Sequence, residues 1–281
     1  MIYVCADDYG VSKEANQRIE KCFKEGVLSK VSVLPNGEID NFKEKLAKDG
    51  GILSLHLNLV EGKPLTEGLK VLTDKNGCFK YSFAGLYNLC ISPKKKKVEE
   101  ELYREIKNQI VFWKNQMGKD EIYIDSHQHA HMIPMVFKTL MRVIREEEIN
   151  VAYLRTSDEP ISIYLATVSL YPTYNIMGLV KQTVLKILAM VNKKELKKAN
   201  IRTAYFMGLM LSVRLDESRV KKLLVHYERL AKKKGMDIEI AFHPGYMEKG
   251  EELCFGRESF KNFYLSHYRR LEYDAVMNFK I

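Results

Sequence analysis

At 281 residues the chain can bury the core of one large α/β domain or of two small ones. Apolar residues make up 46% and charged residues 29%, which is ordinary for a globular enzyme. The net charge of +9 comes largely from lysine runs (94–97, 193–198 and 232–234) without the interleaved arginines and aromatics of a nucleic-acid stripe, so no nucleic-acid partner is expected.

Five scattered cysteines (Cys5, Cys22, Cys78, Cys90 and Cys254), odd in number and without a CxxC pair, exclude a disulfide framework and a structural zinc site. Charge arrives at Asp7, too early for a signal peptide, and a cytoplasmic enzyme is expected. Residues 161–192 are apolar, but Pro172, Lys181 and Lys186 interrupt them. A span needs about 20 nearly uncharged residues, so an amphipathic, partly buried segment is expected there, with no membrane partner.

In chain order, Ile2 to Ala6 is fully apolar, as in a strand buried on both faces of a parallel sheet. It runs into Asp7-Asp8-Tyr9-Gly10. Adjacent carboxylates at a buried strand end are costly unless compensated, by a metal or by a solvated turn. Ser12 to Glu25 is helical, with Gly26 as its stop. Val27 to Leu34 is a strand closed by Pro35-Asn36-Gly37, and Phe42 to Lys48 is weakly helical. Residues 51–59 alternate apolar and polar as a third strand, with His56 near its end. Residues 61–92 read as a long loop over the strand ends.

Val98 to Met117 is a long helix with early glutamates and late lysines. The apolar run Ile122 to Ile124 then leads into Asp125-Ser-His-Gln-His-Ala-His131. On a strand, Asp125, His127, His129 and His131 would share one face. Pro134 opens a helix to Glu148. Val151 to Leu154 is a fifth strand ending in Arg155, and residues 156–200 carry no readable period and are expected to cap one end. Thr203 to Val213 is a sixth strand, Asp216 to Lys234 a helix, Asp237 to Phe242 a seventh strand before His243-Pro244-Gly245, and Glu258 to Asn278 a last helix. Trp113 and the tyrosines of 164–174 are read as packing residues.

About seven β-α units without a composition break predict a single α/β domain over 1–281, a distorted (β/α) barrel of about seven parallel strands. Asp-Asp-Tyr-Gly lacks the GxGxxG spacing, which disfavours a dinucleotide fold. Barrel sites collect at the C-terminal strand ends. Those ends offer Asp7 and Asp8, His56, His127, Arg155 and His243. Two imidazoles and a carboxylate are a recurring catalytic metal set, with a neighbouring carboxylate as base and a free histidine as acid. Spacing alone leaves His129 and His131 as alternatives to His127. It also leaves Arg155 either orienting Asp7, contacting substrate, or serving a structural ion pair.

The segments ADDYG, HLNLVEGKPL, DSHQHAH and FHPGY, in that order along most of the chain, resemble the YdjC-like carbohydrate deacetylases, the family that contains chitooligosaccharide deacetylases. The resemblance implies a distorted β/α barrel and one divalent metal, with Mg2+ commonly assigned and Zn2+ plausible. It implies Asp7 as base, Asp8, His56 and His127 as metal ligands, and His243 as acid. The substrate implied is an N-acetylated sugar or oligosaccharide that loses its acetyl group; a homodimer is left open. A metal-dependent phosphoesterase, an amidohydrolase using an His127–His129 pair, and a basic nucleic-acid-binding protein are the rival expectations.

Overall fold

The computed structural model describes residues 1–254 and 258–279. Seven strands form one parallel sheet: β1 (Ile2–Tyr9), β2 (Lys30–Val33), β3 (Ile52–Leu57), β4 (Glu121–Ser126), β5 (Asn150–Leu154), β6 (Ala204–Met207) and β7 (Asp237–Phe242). Their order is β5-β4-β3-β2-β1-β7-β6, and every pairing is parallel. The sheet curls into a half-barrel. Its two edges meet where the Leu154 N–H donates to the Arg202 carbonyl (3.0 Å). All seven C-terminal ends therefore point to one rim.

Helices fill the crossovers: α1 (Lys13–Glu25), α2 (Phe42–Lys45), α3 (Phe83–Cys90), α4 (Lys95–Met117), α5 (Pro134–Glu146), α6 (Ile161–Ala166), α7 (Ile176–Ala199), α8 (Glu217–Lys234), α9 (Glu258–Tyr264) and α10 (His267–Asn278). Their ends obey local chemistry. Ser12, Ser82, Asn175, Asp216 and Ser266 accept first-turn N–H groups, and Gly118 and Gly235 stop α4 and α8 in the left-handed region. Trp113 is fully buried and stacks on Phe42 at 5.6 Å, so it packs the core. Tyr164 is buried too and donates to Glu159 (2.7 Å). The five cysteines are free.

Several boundaries differ from the sequence expectation. Residues 61–92 are not all loop, because α3 forms within them. The sixth strand stops at Met207, where Gly208 turns at φ +150°. The Gly208, Leu209 and Met210 N–H groups then wrap the buried Glu159 carboxylate instead of continuing the sheet. The last helix is broken at Ser266, which caps α10. Residues 156–200 prove to be α6, a 3-10 turn at Val168–Thr173, and α7.

The turn after β2 lies tightly under the end of β1. Glu38 N–H donates to the Gly10 carbonyl (2.8 Å), and a Cβ on Gly37 would run into that carbonyl oxygen. Gly37→Ala is therefore expected to cost about 1–3 kcal/mol, read as a lower urea midpoint. An unchanged midpoint would contradict this close approach.

Candidate functional site

Asp7 and Asp8 lie inside β1, not beyond it. The β1–β2 register shifts between Ala6 and Tyr9, and Asp8 takes φ +70°. This bulge aims the two consecutive carboxylates at different partners. Asp7 receives a two-pronged bond from Arg155, Nη1 to Oδ2 at 2.7 Å and Nη2 to Oδ1 at 2.9 Å. Asp8 Oδ2 accepts from Arg269 of α10, while its Oδ1 stands 2.9 Å from His127 Nδ1 and 3.5 Å from His56 Nε2.

The shared-face expectation for the histidine run is overturned. β4 ends at Ser126, and His127–Met132 forms a 3-10 turn in which Gln128 and His129 have φ of 52° and 56°. Left-handed residues break the two-residue period, so the three imidazoles diverge. His127 turns toward Asp8. His129 Nδ1 meets the Ser157 hydroxyl at 2.8 Å, and its ring packs edge-on against Phe206. His131 bridges the Ser126 hydroxyl (2.5 Å) and the Arg155 carbonyl, to which its Nε2–H donates at 2.6 Å. An His127–His129 pair on one ion is thus not formed.

Below this rim lies a buried polar layer. Asp125 Oδ2 accepts from Lys30 Nζ (2.9 Å), Ser32 Oγ (2.7 Å) and Ser54 Oγ (2.9 Å). Its Oδ1 accepts from His56 Nδ1–H (2.6 Å), which leaves the His56 Nε2 lone pair facing Asp8. Glu239 accepts from Lys30 and Arg155, both at 2.8 Å, and from the Tyr153 hydroxyl. Glu61 Oε1 holds the Gln128 amide at 2.8 Å and stands 3.5 Å from His127 Nε2. Sequence reasoning missed Glu61, Lys30, Glu239 and Arg269 as parts of this assembly.

Charge depends on this geometry. Burial opposes ionisation of Asp7, Asp8 and Asp125, yet Arg155, Arg269 and Lys30 hold all three carboxyls below their ordinary range. Burial also disfavours a charged His127, but the Asp8 and Glu61 carboxylates outweigh it and raise the imidazole to about 10. His131 is pushed down to about 4, chiefly by burial. His129 is lowered well below normal by burial, with Lys181 and Arg155 adding to the effect.

His243 comes directly after β7. Its N–H donates to Glu272 Oε2 (2.6 Å), its Nδ1 lies 3.4 Å from the same oxygen, and its ring packs on Phe263. The structure therefore brings Asp8, His56 and His127 to one point, sets Asp7 and Arg155 beside it, and places His243 on the same rim.

The donor set fits one divalent cation. One ligand atom from each of Asp8, His56 and His127 lies within 4.8 Å of the other two. Buried His127 Nε2 and Glu61 Oε2 have no hydrogen-bond partner. Five buried carboxylates (Asp7, Asp8, Glu61, Asp125 and Glu239) meet three permanent cations (Lys30, Arg155 and Arg269), an excess of negative charge that holds a proton on His127 and that a divalent ion taking that proton's place would balance.

The model of the YdjC-like protein family matches residues 1–280. The chain belongs to the YdjC-like family. Two relatives carry the name carbohydrate deacetylase. That of Clostridium beijerinckii is 30% identical over 156 residues, covering 55% of this chain and 60% of the relative. That of Danio rerio is 32% identical over 162 residues, covering 57% and 50%. The chain thus aligns with little more than half the length of these relatives. A crystal structure from Enterococcus faecalis, described as a candidate cellobiose-phosphate cleavage protein, shares the fold of this YdjC-like chain. Its TM-score is 0.61 at 18% identity, over 99% of this chain and 90% of that one.

His131 yields a pH prediction. Its folded-state value of about 4 lies below the ordinary 6.5, so between those values the unfolded chain binds the extra proton. Stability contributed by neutral His131 is present above pH 6.5 and is lost as pH falls toward 4, about 3 kcal/mol in all. His131→Gln should flatten that stretch of the stability–pH curve relative to wild type. Parallel curves for the two proteins would refute the assignment.

Proposed function

We propose that this YdjC-like chain is a metal-dependent hydrolase that removes acetyl groups from N-acetylated amino sugars, of the chitooligosaccharide type. The observation that carries the reading is the meeting of Asp8, His56 and His127 beside the ionised Asp7, in a chain of this family. Asp8, His56 and His127 would hold one divalent ion, Mg2+ by family resemblance and Zn2+ as the alternative. When bound, such an ion supplies Lewis-acid polarisation and lowers the pKa of water.

The remaining steps belong to the chain. Arg155 fixes the plane of the Asp7 carboxylate and keeps it charged, so that Asp7 accepts the proton of the attacking water. Asp125 orients His56 by taking its Nδ1–H, which presents Nε2 as a donor with a free lone pair. Glu272 anchors the backbone at His243, whose ring then protonates the departing sugar amine. The water proton leaves on Asp7, the amine gains one from His243, and acetate is released.

Acetate release from a panel of N-acetyl sugars, with and without chelator, tests the reading. Chelation should abolish turnover and a divalent salt restore it. Asp7→Asn should retain metal while losing at least about 1,000-fold in kcat; full activity would remove Asp7 as the base. Asp125→Asn should weaken metal binding by about 10–100-fold, read by titration with a fluorescent chelator. Unchanged affinity would show that Asp125 does not orient His56.

A further inference from the structure

Eleven of the sixteen exposed large apolar side chains among the described residues fall between positions 165 and 191. Most sit on α7, where Ile176 is 82% and Met177 74% exposed. The helix packs inward through Gly178, Gln182, Leu185, Leu188 and Asn192. Asn192 donates to the Met132 carbonyl (2.8 Å), fastening α7 to the turn that carries His127. Positions 176, 180, 187 and 191 share the opposite stripe, at helical spacings of 4, 7 and 4. That stripe is about 23 Å long at 1.5 Å per residue. Lys194 and Lys198 continue it on the same face. Monomeric proteins rarely leave so continuous an apolar face to water.

We propose that the outer face of α7 docks on an anionic membrane surface. Charge selects this occupant. Within α7 there are six lysines and a single glutamate, Glu195, which already pairs with Lys198 at 3.1 Å. A second copy of the chain would meet the face with the same lysines. Phosphate headgroups supply the opposite charge, and lysine stems reach them while the apolar stripe enters the acyl boundary. No helix among the described residues is long and apolar enough to cross a membrane, so α7 lies on the surface rather than through it. The expectation of no membrane partner rested on the lack of a spanning run, and surface docking needs none.

The full chain is floated with vesicles of phosphatidylcholine alone and of phosphatidylcholine mixed with phosphatidylglycerol. It should rise with the anionic vesicles at low salt, less at high salt, and least with the neutral ones. The double variant Val180→Glu/Ile187→Glu should lose at least about tenfold in vesicle partition. Its circular dichroism melt should stay as in wild type, because both side chains are exposed. Lys194→Glu/Lys198→Glu should weaken binding to anionic vesicles alone. A chain that stays in solution with every lipid overturns the proposal, as does a double variant that binds like wild type. Equally fatal would be a solution dimer that fails to float and that the double variant splits into monomers. Acetate release from a soluble sugar reads the hydrolase assignment separately, and its presence or absence leaves the flotation result standing.

Discussion

A carboxylate sealed from water must find its partners inside the protein, and Asp125 finds them on two other strands and just past the end of a third. Lys30 and Ser32 come from β2, Ser54 and His56 from β3, and Arg155 approaches within 3.5 Å from the end of β5. Through Lys30 and Arg155 the same layer reaches Glu239 on β7 and Asp7 on β1. Stripping water from each of these ions costs several kcal/mol, and only mutual pairing offsets it. Removing one member would leave its partners buried and uncompensated. The half-barrel is thus plugged near its rim by a charged lattice that holds both His56 and Asp7 in fixed orientations.

Much of the rim was legible in the chain because parallel strands buried on both faces stand out as short apolar runs. The residues at the close of each run are then strand ends, and Asp7-Asp8, His56, His127, Arg155 and His243 are read that way. The choice among His127, His129 and His131 was not legible. It depends on the left-handed backbone at Gln128 and His129, and no two-residue pattern signals such a turn. Glu239 and Lys30 were hidden for another reason. In a strand, a lone charged residue such as Glu239 between Ile238 and Ile240, or Lys30 after Ser29, reads as solvent-facing, whereas here the two meet in the barrel interior, 209 positions apart. Arg269 had no signal at all, since a helix arginine is ordinarily a solvated one.

The region after β5 shows the same limit in helical form. Apolar residues occupy both sides of α7, so its period is blurred, and the segment looked merely amphipathic. Only the packed structure separates the inner row, held to the site by Asn192, from the outer row that faces no other part of the described chain. Membership of the YdjC-like family covers this stretch as well as the rim. The family match and the rim geometry carry the hydrolase reading together, while the outer row is a property of this chain's own surface.

The central claim is that Asp8, His56 and His127 form the seat of a single cation. Crystals grown with Mn2+ and measured at an anomalous wavelength test it most directly. One strong peak within coordinating distance of all three side chains is the predicted result. A peak elsewhere, or none near those three residues at saturating Mn2+, would contradict the account.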